Sequence, residues 1–90
     1  MRIEASSLTF ANAAEIARAG LAQLQAGDGE FDFSAVERVD SAALALILDW
    51  LRAAQAGQRT LVLRDLPRNL LDLAALYGLA DLIAPHHHHS

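Results

Sequence analysis

The chain has 90 residues, which fits one domain and leaves no room for a second. It contains no cysteine, which excludes a disulfide framework, thiolate metal sites and thiol nucleophiles. Seven Lys and Arg against eleven Asp and Glu, a net charge of −4, argue against a nucleic-acid-binding face, and 53% hydrophobic content points to a dense core or an apolar surface that a partner covers.

Residues 2–6, with the weak alternation Met1-Arg2-Ile3-Glu4-Ala5, are predicted as a short opening strand. Nothing in that start has the apolar core of a signal peptide, so a cytoplasmic protein is expected. Asn12 is the predicted N-cap of a first helix, with Glu15 three residues on as the other half of a capping box. Ala13, Ile16, Ala17, Leu21 and Leu24 then recur near the 3.6-residue period until about Gln25, and Ala26-Gly27-Asp28-Gly29 ends the helix. Phe31 and Phe33 stand on one face of an extended segment, and residues 34–40 read as a connector with Val36 and Val39 turned inward.

A second helix is predicted from Asp40 or Ser41 to just before Gly57, and residues 59–64 as a buried strand through Leu61-Val62-Leu63. Pro67 suits the first position of a third helix, where its missing N–H costs nothing. Leu70, Leu73, Ala74 and Tyr77 form that helix's apolar stripe, and Gly78 suits the left-handed position after its end. Residues 79–84 form a short last element. Strands alternating with helices predict an α/β fold with a mainly parallel sheet. The domain is expected over residues 1–85, with 86–90 a His-rich tail, disordered or left from a purification tag; consecutive histidines lack the spaced geometry of a metal site.

The second helix is the most informative segment. At 100° per residue, Leu44, Ile47, Leu48 and Leu51 fall in one narrow sector, the core stripe. Ala43, Leu46, Trp50 and Ala53 fall on an adjoining sector, so the helix is apolar over a wider arc than packing on one sheet face requires. Two readings stay open. Leu46 and Trp50 pack under a neighbouring helix, or they anchor a protein-binding face. Ser41 likewise has two readings: the helix N-cap, or a contact or switch residue at the positive end of the helix dipole.

The stretch Phe31-Asp32-Phe33-Ser34-Ala35-Val36-Glu37-Arg38-Val39-Asp40-Ser41-Ala42-Ala43-Leu44 resembles the signature of STAS domains, in which a strand ending in Asp-hydrophobic-Ser precedes a hydrophobic-Asp-Ser/Thr helix start. The turn Leu8-Thr9-Phe10-Ala11-Asn12-Ala13, and the segments Leu66-Pro67-Arg68-Asn69-Leu70 and Leu76-Tyr77-Gly78-Leu79, are similar to the MlaB-like branch, the STAS subunits of a phospholipid-transport ABC complex. The resemblance implies the STAS fold and a non-enzymatic subunit that docks on a transporter ATPase. Ser41 is then a polar contact, with Asp40, Ala42, Leu46, Trp50 and Ala53 around it on the partner-binding face. Membrane association follows only indirectly, through the transporter.

In the related anti-sigma factor antagonists, the residue in the place of Ser41 is phosphorylated, which makes an anti-sigma factor or kinase the alternative partner. Two departures stand out. Many relatives have glycine where this chain has Ala43, which implies a reshaped interface. The start is also short, so a missing strand is expected to leave a bare sheet edge that invites a homodimer. No catalytic constellation and no phosphate-binding glycine loop is visible, and the four histidines all lie in the tail. Asp32, Asp40 and Asp49 read as solvated or capping carboxylates. No enzyme activity, cofactor or metal is therefore expected.

Overall fold

A computed structural model describes residues 1–88. In chain order the elements are β1 (Ser7–Leu8), α1 (Ala13–Gln25), β2 (Glu30–Asp32), β3 (Arg38–Val39), α2 (Ser41–Ala56), β4 (Val62–Arg64), α3 (Arg68–Leu76), α4 (Ala80–Ile83), a 3-10 turn (Ala84–His86) and β5 (His87–His88). All the strand pairings are parallel, as helical crossovers require. One sheet has the order β2-β4-β5, with Phe31 opposite Leu63. The other pairs β1 with β3, Leu8 lying opposite Val39. The fold is therefore the mixed α/β arrangement expected, with helices packed on parallel strands.

Several local expectations are corrected. The opening strand is displaced: Arg2 makes a lone bridge to Asp32, and the strand proper is Ser7–Leu8. The connector at 34–40 contains β3, which β1 holds in place. Asn12 is the N-cap residue of α1, as expected, but its side chain makes no capping bond. Its Oδ1 accepts from the Thr9 N–H at 3.0 Å and its Nδ2 donates to the Ser7 carbonyl at 2.8 Å, so it staples the turn before the helix. Pro67 precedes α3 as its extended cap residue (φ −64°, ψ 150°), and Tyr77 is exposed rather than part of the buried stripe. Gly78 has the left-handed φ of +74° that its position after α3 asks for.

The edge of β2 is not bare. Asp32 N–H donates to the Met1 carbonyl at 2.9 Å and Ile3 N–H to the Asp32 carbonyl at 3.0 Å, so residues 1–3 cover this sheet edge. The His-rich end is also not frayed where it is described. His87 pairs with Leu63 and His88 with Arg64 along β4, and the Asp65 N–H donates to the His88 carbonyl at 2.9 Å. The rest of that end, His89 and Ser90, lies outside the described residues.

The core lies between the sheets and the helices. Phe31 and Phe33 from the β2 region and Leu63 from β4 meet Leu44, Leu46, Ile47, Trp50 and Leu51 of α2. The indole of Trp50 stacks on Phe31, with centroids 4.1 Å apart and planes 16° from parallel, and Phe33 meets it tilted at 6.2 Å. The indole N–H donates to the Ala17 carbonyl of α1 at 3.1 Å, which satisfies a polar group that burial would otherwise strand. Gly20 of α1 faces the ring: a Cβ there would lie 2.2 Å from Trp50 Cζ2. Absence of a side chain at Gly20 is what lets α1 close onto α2.

Candidate functional site at the start of helix α2

The residue that begins α2 has an extended backbone, as an N-cap should. It is Asp40 (φ −126°, ψ −171°), and one carboxylate oxygen accepts from the Ala42 N–H at 2.9 Å. The other oxygen accepts from the N–H of Phe10, in the turn before α1, at 3.1 Å. Asp40 N–H reaches the Leu8 carbonyl at 3.3 Å, tying the cap to β1. The capping reading of Ser41 is thereby overturned. Ser41 is the first helical residue, and it is exposed. Its hydroxyl has no hydrogen-bond partner among the described residues.

Beside this helix start, α1 and α2 approach through small side chains. Ala13, Ala14 and Ala17 on one helix and Ala42 and Ala45 on the other line a shallow groove of about 280 Å³. Buried Leu46 forms its floor, Asp49 borders it, and Phe10 stands at its rim with 84% of its surface exposed. Among the described residues Phe10 is the most exposed of the large apolar side chains.

The expected docking residues divide. Ser41, Asp40 and Ala42 lie together at the helix start. Leu46 and Trp50 do not present an apolar flank: they are 2% and 0% exposed, because α1 covers that side of α2. Ala53 is half-buried and does not line the groove. Ala43 is fully buried, so its methyl group packs in the core and does not limit the approach of a partner. Phe10 and Ala45 were missed. Phe10 carried one signal in the sequence, a lone large aromatic in a turn with no periodic partner.

Asp32, Asp40 and Asp49 have separate duties. Asp40 caps α2, and Asp49 pairs with Arg52 at 3.0 Å in the open. Asp32 accepts the Ser34 N–H at 2.8 Å, and this bond, helped by the Ser34 hydroxyl, holds its carboxyl below the ordinary value. A lowered folded-state value stabilises the fold above the unfolded carboxylate range and loses that effect as pH falls through the folded value. Asp32→Asn is accordingly expected to melt lower than the parent at neutral pH, with the gap closing on acidification. A gap independent of pH in melting curves between pH 7 and pH 2 would show that the charge of Asp32 is irrelevant. No group of three or more metal-ligating side chains occurs among the described residues.

The model of the family described as "Mlab, STAS domain" matches residues 4–84, nearly the whole chain. The chain belongs to the STAS domain family. A curated relative, the intermembrane phospholipid transport system binding protein MlaB of Haemophilus influenzae, is 42% identical over 55 residues. That match covers 61% of this STAS domain and 52% of the relative, so the chain spans about half of that protein's length. Both comparisons bear out the resemblance to the MlaB-like branch drawn from the helix start and its flanking turns.

Proposed function

We propose that this STAS domain is a non-enzymatic accessory subunit of a phospholipid-transport ABC system, and that it docks on the ATPase subunit through the start of α2. The observation that carries the reading is the exposed hydroxyl of Ser41, without a hydrogen-bond partner among the described residues, beside the alanine-lined groove and the solvent-exposed ring of Phe10. A protruding apolar side chain from a partner helix fits such a groove, and the Ser41 hydroxyl supplies one directional hydrogen bond at its edge. Asp40 and Ala42 frame that contact. By binding one conformation of the ATPase more tightly than another, the domain shifts its population and so regulates transport. Its place is the cytoplasmic face of the inner membrane, through the transporter. No described helix is long and apolar enough to cross a membrane.

Ser41→Asp and Ala45→Arg test the surface. Both positions are exposed, so both variants are expected to fold. A desolvated charge at the centre of an interface is expected to weaken binding to the purified ATPase subunit at least about 30-fold, a loss of roughly 2 kcal/mol. Calorimetry showing both variants binding like the parent would remove this site.

A second reading is favoured by the same free hydroxyl: an anti-sigma factor antagonist in which a kinase phosphorylates Ser41 and the added charge releases the partner. Intact-mass measurement after incubation with the candidate kinase decides it. An unchanged mass with Ser41 accessible counts against the phosphorylation switch.

A further inference from the structure

We infer that Asp40 is a positioning residue that holds Phe10, at the rim of the groove, against the start of α2; its effect on a partner rests on the docking reading above. Its two carboxylate oxygens serve two elements that lie 30 residues apart in sequence. One oxygen holds the first turn of α2 through the Ala42 N–H, and the other holds the Phe10 N–H. Bonds to a charged acceptor are shorter and stronger than neutral ones, so this bracket is stiffer than an amide would make it.

The side-chain bonds within the Phe10 turn run back into its own segment. Thr9 N–H goes to Asn12 Oδ1, Asn12 Nδ2 to the Ser7 carbonyl, and Ala11 N–H to Thr9 Oγ1 at 3.3 Å. These bonds shape the turn without fixing it against α2. The β1–β3 pairing before the turn and the packing of α1 on α2 after it hold its ends, and the carboxylate of Asp40 ties the Phe10 N–H itself to the start of α2. An exposed ring held by its backbone against the helix start is a preorganised contact, which avoids ordering cost when a partner binds.

Asp40→Asn separates the two roles. Asparagine caps a helix as well as aspartate, so its single acceptor oxygen keeps the Ala42 bond. Its amide nitrogen then faces the Phe10 N–H, donor against donor, and the turn is released. In 15N relaxation on the free 90-residue chain, the Phe10 amide is expected near an order parameter of about 0.85 in the parent and below about 0.6 in Asp40→Asn. Ala42 and Ala43 are expected to stay rigid. A Phe10 amide as rigid in Asp40→Asn and in Asp40→Ala as in the parent overturns the inference.

Affinity for the purified ATPase subunit gives the second arm. Asp40→Asn is expected to weaken binding about tenfold in the parent and less than twofold once Phe10→Ala is present, since Asp40 acts through Phe10. Equal losses in both backgrounds mean that Asp40 touches the partner itself and is not a positioning residue. A parent chain that does not bind the ATPase refutes the docking reading, while the relaxation result still decides whether Asp40 holds Phe10.

Discussion

Trp50→Ala is expected to leave the domain largely unfolded at 37 °C. The ring is fully buried, stacks on Phe31, leans on Phe33 and donates its N–H to α1. Truncating a buried tryptophan costs about 3–5 kcal/mol, the transfer free energy of the ring plus the cavity it leaves. A small domain has total stability toward the low end of about 5–15 kcal/mol, so most of it is removed. At about 4–8 °C per kcal/mol, the melting temperature falls by more than about 12 °C. Circular dichroism melts and urea titrations measure this directly. Trp50 is the one tryptophan of the chain, so its native emission is expected to be blue-shifted and protected from iodide quenching. An alanine variant within about 1 kcal/mol of the parent, with red-shifted parent emission, would put the indole back on the surface as a binding anchor.

Gly20→Ala is expected to destabilise the fold, against the trend for glycine inside a helix. In an open helix the change gains roughly 1 kcal/mol. Here the new Cβ would sit 2.2 Å from Trp50 Cζ2 and 2.4 Å from Cε2. The indole cannot swing aside, because it stacks on Phe31 and the Ala17 carbonyl holds its N–H. Helix α1 must then lift off α2, and overpacking of this kind costs about 1–3 kcal/mol, which outweighs the propensity gain. The cost is expected to shrink in a Trp50→Phe background, where the indole atoms that meet the Cβ are gone; contacting pairs couple by about 0.5–3 kcal/mol. A higher melting temperature for Gly20→Ala in the parent background would show that α1 does not seat on the indole.

The helices were legible because each carries its own periodic signal. Ala13, Ile16, Ala17 and Leu24 mark α1, and Leu44, Ile47 and Leu51 mark α2; local turns repeat every 3.6 residues whatever packs on them. Strands β1 and β3 were not legible. Two residues hold no measurable alternation, and Ser7–Leu8 becomes a strand only because Arg38–Val39 lies alongside it. The site divides in the same way. The Asp40-Ser41 helix start is a local motif and could be read directly. The helical wheel gave the angle of Leu46 and Trp50 correctly but not what faces them.

From the sequence alone came the α/β class, the STAS resemblance and the place of Ser41 at the start of a helix, since these rest on short-range patterns and on one contiguous motif. Which apolar side chains of α2 remain available to a partner was decided only in three dimensions. Gly20, distant along the chain, opens the slot that hides Trp50. Asp40 takes the cap of α2 in place of Ser41, and its second oxygen ties the Phe10 turn to the helix start. Exposure depends on the neighbour that arrives from elsewhere in the chain, and a one-dimensional pattern does not carry that information.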